Sequence, residues 1–474
     1  MVVNRMPRLL TEIDKIRRQV LTEVARLAFN GQILRKIEDL PYKLYEQGIR
    51  NYRCCQFKER AVLKERIRLA LGEDPVLDRE PLVHAAIRSL KKEKIKGPML
   101  KVIDIACDHC PIDAILVTDA CRNCVAHSCV NTCPKKAIQI VNGKAMIDKE
   151  KCVECGLCAK ACSFGAIVHI QRPCERSCQA NAISSSEDRH AIIDANKCVA
   201  CGACTIGCPF GAISYKSEIL PVVKKLRAKS EVIALIAPAI AGQFGRGVTL
   251  NQVVRGLKEL GFAKVKEVAL GADEIADLEA NEKTATWLTN SCCPAYKKYI
   301  EKQFPELESH LSKQLSPMAY LAKKIRVEKP ESYLVFIGPC LAKKEEVCEV
   351  DAVLTFEELA CLFVARDINL ATLSEMALDE RATKYGVGFA CAGGVSKAIT
   401  NIKAIKVKTA SGLEECKTML LLARAGKIEA DFLEGMACLE GCIGGPGTLV
   451  EAKFAHRVLE KELSEEEKEL KKTV

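Results

Sequence analysis

The sequence lacks the features that place a chain in a membrane or mark it for export. It has no uninterrupted apolar run of 18 residues, and its first 20 residues, MVVNRMPRLLTEIDKIRRQV, contain no apolar h-region. Aromatic residues make up only 5% of the 474 residues, with a single tryptophan, Trp287. We therefore expect a cytoplasmic protein in a reducing compartment, with enough apolar residues (49%) for a core.

Charge of one sign is not segregated along most of the chain. Lys and Arg number 71 against 61 Asp and Glu, a net charge of +10, and the two signs are interleaved. This pattern favours a solvated surface over nucleic-acid binding, and we expect neither a nucleic-acid nor a membrane partner. A basic face can nevertheless steer an acidic electron-carrier protein.

Cysteine is the residue that the sequence has in excess. There are 27 cysteines, and 16 of them lie between Cys107 and Cys208. In a reducing cytosol, cysteines at this density are metal ligands rather than disulfides. The phrase Cys-x-x-x-Ala-Ile occurs five times in this segment, beginning at Cys110, Cys133, Cys162, Cys178 and Cys208. Such repetition indicates duplicated small modules.

Cysteine spacing predicts two iron–sulfur clusters in the middle of this segment. Two runs follow the ferredoxin spacing C-x2-C-x2-C-x3-C, namely Cys198, Cys201, Cys204, Cys208 and Cys152, Cys155, Cys158, Cys162. The fourth cysteine of such a run serves the other cluster of a pair. With the lengthened run that starts at Cys121, the predicted ligand sets are Cys121, Cys124, Cys129, Cys162 and Cys152, Cys155, Cys158, Cys133. Zinc is the main competitor, since paired CxxC motifs also bind it.

The remaining cysteines predict a nested arrangement. Cys178 takes the Cys133 position of the repeat, which gives a third 4Fe–4S set of Cys198, Cys201, Cys204 and Cys178. Four cysteines are then left for a fourth cluster, Cys107, Cys110, Cys174 and Cys208. We expect an outer two-cluster module, at 107–110 and 174–208, that is interrupted by a complete inner module at 121–162. The alternative is that the last four cysteines are partly free thiols.

Changes in composition and in apolar pattern along the chain predict three domains. Residues 1–100 show helical apolar spacing, residues 101–217 hold α+β ferredoxin-like modules, and residues 218–474 alternate apolar strands with helices, as in an α/β domain. The cysteine motifs of the last domain follow apolar strands. In open α/β sheets, ligands bind at the carboxyl ends of the strands.

Three cysteine phrases of the C-terminal domain carry a resemblance to a known family. They are NSCCPAY (290–296), GPCLAKKEE (338–346) and EGMACLEGCIGGPG (434–447). They resemble, in the same order, the signatures TSCCP, MPCxxKKxE and ExMACxxGCxxGGGQ of FeFe hydrogenases, and the phrasing is similar to the divergent group B. The resemblance covers roughly residues 100–450. It implies an H-cluster, which is a 4Fe–4S cube joined through a cysteine thiolate to a two-iron unit with carbonyl, cyanide and dithiolate ligands.

The resemblance also implies roles for individual residues. It makes Cys293, Cys340, Cys438 and Cys442 the ligands of the cube, with Cys442 as the bridge. Cys292 would relay protons, and Lys343 would donate to a cyanide. Glu279, Glu282 and Ser312 would continue the proton path, although an ordinary solvated helix is the simpler interpretation of the two carboxylates. Residues expected to pack against the cofactor are Ala237, Pro238, Phe389, Gly393, Gly394 and Met436.

Several positions depart from the family pattern. Asn290 replaces threonine, Gly338 replaces methionine, Ala239 replaces serine, and Met318 replaces glutamine. These changes spare the implied ligands but alter their surroundings, so they bear on the reduction potential, the directional bias of catalysis and oxygen tolerance.

The other cysteines have simpler interpretations. Cys348, Cys361, Cys391 and Cys416 are predicted core thiols, and the Cys54–Cys55 pair is interpreted as buried or incidental, with a sensing or ligand role as the alternative.

The leading functional prediction is a hydrogenase that interconverts H₂ with protons and electrons. Its 4Fe–4S clusters would exchange electrons with a ferredoxin-like carrier, and hydrogenase maturation enzymes would be needed to build the H-cluster. One alternative is a hydrogen sensor of low turnover, which the lack of a recognisable output segment disfavours. The other is a non-catalytic iron–sulfur assembly protein. Retention of Cys292, Lys343 and Cys442 speaks against that second alternative.

Overall fold

The first helices of the chain form part of the main hydrophobic core. The computed structural model describes residues 10–49, 52–76, 80–108, 110, 114–186, 188, 190–282 and 286–473. The N-terminal helices are α1 (Glu12–Phe29), α2 (Ile33–Lys36), α3 (Leu40–Glu46), α4 (Gln56–Ala70) and α5 (Leu82–Lys91). Helix α1 begins at a capping box, in which the Thr11 hydroxyl accepts from the Asp14 amide and the Asp14 carboxylate accepts from the Thr11 amide. Helical spacing therefore predicted this region correctly.

The iron–sulfur region consists of short strands and one-turn helices. The strands are β1 (Leu100–Val102), β2 (Ile115–Val117), β3 (Ile138–Val141), β4 (Lys144–Ile147), β5 (Ile167–His169), β6 (Ile183–Ser185), β7 (Ala191–Ile193) and β8 (Ile213–Tyr215). The helices are α6 (Ser128–Thr132), α7 (Leu157–Ala161), α8 (Pro173–Ser177) and α9 (Ala203–Gly207).

Strand pairing shows that one module is inserted within another. In the outer module β1 pairs with β8, and β6 and β7 form a hairpin. In the inner module β2 pairs with β5, and β3 and β4 form the equivalent hairpin. All four pairings are antiparallel, and the whole inner set lies between β1 and β6 along the chain. The predicted nested duplication is confirmed.

The C-terminal region contains two parallel sheets, as the alternation of strands and helices predicted. One sheet has the order β10 (Lys264–Glu267), β9 (Val232–Ile236), β12 (Tyr333–Ile337) and β13 (Ala352–Leu354). The other has the order β11 (Leu288–Thr289), β15 (Phe432–Met436) and β14 (Val407–Ser411). Every residue of β9, β12 and β15 is buried, as expected of parallel strands covered on both faces.

Helices cover these sheets, and two of them pack against α1. They are α10 (Ile219–Arg227), α11 (Leu250–Leu260), α12 (Ala269–Ala280), α13 (Pro294–Gln303), α14 (Pro317–Glu328), α15 (Phe356–Ala365), α16 (Lys384–Gly388), α17 (Gly394–Ile402), α18 (Leu413–Arg424) and α19 (Ala452–Thr473). Helix α1 packs against α10 and α15, so the N-terminal helices share one continuous core with the C-terminal sheet. Among the described residues, no helix has both the length and the apolar character needed to cross a membrane.

A buried carboxylate joins the three regions of the chain. Glu357, at the start of α15, is 2% exposed. It accepts from Arg17 Nε at 2.6 Å and from Arg18 Nε at 3.1 Å, both on α1. It also accepts from the Tyr215 hydroxyl on β8 at 3.1 Å. Burial raises the pKa of Glu357, but the neighbouring guanidinium groups outweigh this effect and hold the pKa below its usual range.

This junction gives a stability prediction. Glu357→Ala should lower the free energy of unfolding by about 3–5 kcal/mol, because it removes the buried carboxylate that binds the Arg17 and Arg18 guanidinium groups. The measurement is anaerobic urea unfolding of the iron-loaded protein followed by circular dichroism. The matched control is Glu306→Ala, which removes an exposed ion pair with Arg424 and should cost about 0–1 kcal/mol. Equal losses in the two variants would contradict the assignment.

Candidate active site

The carboxyl ends of four parallel strands meet at one cavity. Ala237 and Pro238 follow β9, Pro339 and Cys340 follow β12, and Cys292 and Cys293 follow β11. All six residues line a cavity of about 90 Å³. The segment after β15 closes the site, because Met436 and Cys442 also line the cavity. The parallel topology therefore brings together phrases that are about 150 residues apart in sequence.

Three thiols that line the cavity, those of Cys293, Cys340 and Cys442, are neighbours of a fourth, that of Cys438. Burial, and then the charge of Cys340 and Cys293, holds the pKa of Cys438 well above its ordinary value. Burial, and then the charge of Cys293, raises the pKa of Cys340 to about 11. The pKa of Cys442 is raised by burial and by the charges of Cys293 and Cys340. The four cysteines that the resemblance assigned to the cube are thus mutual neighbours.

The residues present fit an iron–sulfur group better than a single metal ion. In the part of the chain that the structure describes, no three His, Cys, Asp or Glu side chains are arranged to hold one ion. The thiols instead lie around a space, and thiolates are the ligands that iron–sulfur clusters take. Most of the remaining lining is apolar, including Ala237, Phe389 and Met436. The polar groups added to it are Cys292 and Lys343.

The expected packing residues separate into two groups. Ala237, Pro238, Phe389 and Met436 line the cavity, whereas Gly393 and Gly394 do not. Gly393 has φ +81°, and a Cβ on Gly394 would lie 1.9 Å from the carbonyl oxygen of Gly388. The amides of Gly393 and Ser396 each donate to the buried Glu434 carboxylate at 2.7 Å. The two glycines therefore shape the loop that carries Phe389.

Sequence reasoning missed Phe336, which lines the cavity and explains one departure from the family pattern. A Cβ on Gly338 would lie 2.5 Å from the Phe336 ring and 3.1 Å from the Cβ of Ala237. The ring therefore fills space that a methionine at position 338 would need. The alternation of side chains along β12 gives no signal for this contact, because every residue of that strand is buried.

The departure at Asn290 places an amide against Cys292. Asn290 is fully buried, and its Nδ2 donates to Cys292 Sγ at 3.3 Å and to the Gly435 carbonyl at 3.2 Å. Its Oδ1 accepts from the Gly435 amide at 2.8 Å. Asn290 therefore binds β11 to β15 and fixes the Cys292 side chain at the same time.

Lys343 places a positive charge at the cavity. The side chain is 9% exposed, and Nζ donates to Glu346 Oε2 at 2.7 Å. Glu346 in turn accepts from the Ser316 hydroxyl at 2.6 Å. Burial opposes the charge of Lys343, but the Glu346 carboxylate outweighs burial and raises the Lys343 pKa above its ordinary value. The ammonium group is therefore kept charged beside the thiols.

The polar residues that the resemblance implied lie close to Cys292 and to one another. Burial, and then the charge of Glu279, holds the pKa of Cys292 well above its ordinary value. Glu279 is 3% exposed, neither of its oxygens has a hydrogen-bond partner among the described residues, and burial raises its pKa to about 7. The Ser312 hydroxyl lies near enough to lower that pKa slightly, and it donates to half-buried Glu282 at 3.0 Å. A solvated helix does not describe Glu279.

The cysteines of the iron–sulfur modules lie in the predicted groups. Cys204 lies beside Cys178, Cys198 and Cys201, and Cys174 lies beside Cys110 and Cys208. In the inner module, Cys129 lies beside Cys124 and Cys162, and Cys121 packs on the same small core. A second inner cavity is lined by Cys133, Cys152, Cys155 and Cys158. Cys201 also neighbours Cys293 and Cys438, so one group adjoins the thiols at the cavity.

The repeated phrase Cys-x-x-x-Ala-Ile has a local structural cause. In four copies the alanine amide donates to the sulfur of the cysteine four residues earlier, at 3.2–3.4 Å. These alanines are at most 2% exposed, and the following isoleucine begins a strand. In the copy at Cys110, the Ala114 amide donates instead to Glu154 Oε1 at 2.8 Å. The phrase therefore supplies a donor to a sulfur and a small residue that packs closely.

The remaining cysteines are dispersed. Cys361 and Cys416 are buried, as predicted for core thiols, while Cys348 and Cys391 are half-buried, and Cys391 lies near Cys442. Cys54 and Cys55 are both exposed, with their sulfurs 3.8 Å apart. The interpretation of this pair as buried is therefore wrong. The pair lies in the bend that precedes α4, outside the apolar face of the helix.

Comparisons with known proteins agree with this geometry. The family described as "Iron only hydrogenase large subunit, C-terminal domain" matches residues 230–446, and the 4Fe-4S binding domain matches residues 145–168 and 191–214. The periplasmic Fe hydrogenase large subunit of Nitratidesulfovibrio vulgaris is 30% identical over 373 residues, which cover 64% of this chain and 85% of that protein. Iron hydrogenase 1 of Clostridium pasteurianum is 27% identical, over 66% of this chain and 67% of that protein.

Two further likenesses are more limited. The cytosolic Fe-S cluster assembly factor NAR1 of Botryotinia fuckeliana is 30% identical over 138 residues, which cover 23% of this chain and 24% of that protein. Among solved structures, an apo FeFe hydrogenase variant from Chlamydomonas reinhardtii is similar at 21% identity with a TM-score of 0.40. That match covers 48% of this chain and 84% of the other.

The raised pKa of Glu279 predicts how the stability of the protein changes with pH. The folded-state pKa of Glu279 is about 7, above the ordinary value of 4.5. The folded protein therefore favours the protonated carboxyl group, and the stability that this preference contributes is lost as the pH rises through this window. Glu279→Gln does not titrate, so its stability relative to the parent protein should rise by about 1.4 kcal/mol between pH 6 and pH 8.5. Urea unfolding at both pH values measures the change.

The control for this prediction is Glu308→Gln, an exposed substitution that subtracts ordinary surface titration. A stability difference between Glu279→Gln and the parent protein that stays flat over the same pH range would show that Glu279 is not held protonated by burial.

Proposed function

We propose that this chain, which belongs to the iron-only hydrogenase family, catalyses the reversible reduction of protons to H₂ at an H-cluster. The observation that carries the proposal is that Cys293, Cys340 and Cys442 line one cavity together with Cys292 and Lys343, and that Cys438 neighbours these three thiols. In this proposal the four cysteines would hold the 4Fe–4S cube, and the Cys442 thiolate would also serve the two-iron unit. When bound, the H-cluster supplies the iron site at which H₂ forms or is split.

The residues around the cavity bind and orient this group. The Lys343 ammonium is held charged by Glu346 and is available to donate to an anionic cyanide ligand. Ala237, Phe389 and Met436 supply an apolar surface that excludes water. A dry, positively charged pocket of this kind can hold the two-iron unit with the Cys442 thiolate as its covalent link to the protein.

Proton transfer in this proposal follows the row of polar side chains. The Cys292 thiol keeps its proton, because burial and the charge of Glu279 oppose its ionisation. Asn290 fixes the sulfur at the cavity. Glu279, with a pKa near 7, can both accept and release a proton at physiological pH. Ser312 and Glu282 extend the path to the surface.

In this proposal electrons pass from one cysteine-bound cluster to the next, and the positions of the four cysteine groups indicate the order. The group around Cys201 adjoins the catalytic thiols, and the group of Cys107, Cys110, Cys174 and Cys208 shares its module. The inner group that includes Cys133 lies at the Ile115 end of β2, where the inner module leaves the outer one. The group around Cys121 follows the other end of that strand. We therefore assign it as the terminal cluster of the path.

The inner module has the surface expected of a docking site for an acidic ferredoxin-like carrier. Residues 114–170 contain seven Lys and Arg against four Asp and Glu. Val125 and Phe164, next to cysteines of the terminal group, are 98% and 55% exposed. Exposed apolar side chains within a basic surface favour an acidic protein partner, since long-range charge steers the encounter and apolar contact stabilises it.

The assembly-factor alternative has weaker support. The likeness to the cluster assembly factor extends over 23% of this chain, whereas the likeness to the hydrogenase large subunit extends over 64%. The polar row from Cys292 to Glu282 also has no use in a protein that only holds iron–sulfur clusters. A comparison of protein produced with and without the hydrogenase maturation enzymes distinguishes the two functions. A hydrogenase would be iron-loaded in both cases but would turn over H₂ only when matured, whereas an assembly protein would not turn over H₂ in either case.

Removal of the proposed proton relay tests the catalytic assignment. Cys292→Ala should lower H₂ production and uptake to background while retaining the carbonyl and cyanide infrared bands of matured protein, because the thiol moves protons and does not hold iron. The control is Cys361→Ala, which removes a buried thiol from α15 and should keep both turnover and bands. Loss of the bands in Cys292→Ala would mean that Cys292 is a ligand.

Charge reversal tests the carrier surface. Lys135→Glu combined with Lys136→Glu should lower kcat/KM for an acidic two-cluster ferredoxin about tenfold at low salt, while turnover with methyl viologen stays unchanged. The parent rate with ferredoxin should fall as salt is added, because screening weakens the attraction. Lys427→Glu, an exposed change on the C-terminal domain, is the control. A salt-independent rate with ferredoxin would contradict this docking site.

A further inference from the structure

A buried arginine in the outer module has a hydrogen-bond donor with nothing to bind. Arg172 immediately precedes α8 and is 6% exposed. Its Nη1 atom is fully buried and has no hydrogen-bond partner among the described residues. Leaving such a donor unpaired is costly, and in native proteins it points to an acceptor that the protein chain does not itself provide.

The acceptor would lie among the sulfurs of the outer cysteine group. Arg172 is two residues before Cys174, and its charge is close enough to act on both Cys107 and Cys110. The Ala191 amide donates to Cys107 Sγ at 3.4 Å from another direction. The buried, unpaired guanidinium nitrogen therefore belongs to a side chain whose charge lies near these thiols.

A second buried arginine lies near the same group. Arg66, on α4, is 8% exposed and interacts with the charge of Cys208. Its Nη2 lies 2.8 Å from the position that a Cβ on Gly211 would occupy, which places the guanidinium against the loop after Cys208. Asp104 and Glu175 act on this group with the opposite sign, and both are half-buried.

Other cysteine groups have more weakly placed cations. Lys144, beside Cys121, has a side chain that is 42% exposed. Lys302, near Cys198, is exposed and donates to the carbonyls of Ala195 and Cys198. Solvent screens both of these charges, whereas the charge of Arg172 acts in a region of low dielectric constant.

We propose that Arg172 sets the reduction potential of the cluster held by Cys107, Cys110, Cys174 and Cys208. This inference rests on the proposed function, in which these four cysteines are cluster ligands. One-electron reduction adds a negative charge to the cluster. A buried cation with a free N–H donor stabilises that charge, and both charge and hydrogen bonds to sulfur tune cluster potentials. Arg172 therefore raises the potential of this cluster relative to its neighbours.

As a consequence of its higher reduction potential, this cluster would hold one electron on the path to the active site. In the proposed order of electron transfer, this cluster lies between the inner module and the group around Cys201, which adjoins the thiols at the cavity. H₂ formation consumes two electrons, whereas each cluster carries one. An electron that is held at this cluster is available when the second electron arrives from the carrier.

The test is a redox titration followed by electron paramagnetic resonance on full-length protein produced without maturation enzymes. In Arg172→Met, the ratio of reduced to oxidised cluster at a fixed potential should fall at least tenfold for one cluster, a shift of 59 mV or more to lower potential. Arg172→Lys keeps the charge and should keep most of the potential. Arg176→Met, on the exposed side of the same helix, should change nothing.

Iron analysis separates the possible failures. About 20 iron atoms per chain, four for each of five cubanes, are expected in every variant. Unchanged potentials in Arg172→Met at full iron content would overturn the inference and leave the proposed function intact. About 16 iron atoms in the parent protein would remove the fourth cluster, and with it this inference. If Arg172→Met does not retain its clusters, Arg172→Gln replaces it, with the same downward shift expected and an unchanged potential overturning the proposal.

Discussion

Two parallel sheets direct the carboxyl ends of their strands at a single cavity, and the active site depends on this arrangement. Cys293, Cys340 and Cys438 each follow a different buried strand, so no local segment could bring them together. The strands are held in register by main-chain hydrogen bonds and by contacts such as the paired hydrogen bonds between Asn290 and Gly435. The positions of the thiols are therefore set by long-range contacts of the fold.

In the iron–sulfur region, by contrast, residues close in sequence position most of the cysteine ligands. The repeated motif Cys-x-x-x-Ala-Ile supplies a cysteine ligand, an alanine amide that donates to the cysteine sulfur, and an isoleucine that begins a strand. Copies of this phrase can be combined, and even nested, because each carries its own supporting contacts. The N-terminal helices then connect this region to the catalytic sheet through Glu357, Arg17 and Tyr215. The protein thus combines modules of local design with a catalytic site that only long-range topology can build.

Features that depend on local spacing could be predicted from the sequence. Ferredoxin runs, the nested duplication, the α/β character of the last domain and the strand ends that carry cysteines all follow from short patterns. Contacts between distant segments could not. The Glu357–Arg17 pair spans 340 residues, the Phe336 ring fills the space beside Gly338, and the unpaired Nη1 atom of Arg172 is defined only by tertiary burial. The Cys54–Cys55 pair was misjudged because sequence does not reveal which side of a loop faces solvent.

The central claim is that the cavity beside Cys442 holds a two-iron unit with carbonyl and cyanide ligands. Infrared spectroscopy of protein matured by the hydrogenase maturation enzymes tests this claim directly. The account predicts sharp bands from iron-bound carbonyl and cyanide that shift when H₂ replaces argon. Matured, iron-replete protein without these bands would show that the converging thiols hold only a 4Fe–4S cube, and the chain would not be a hydrogenase.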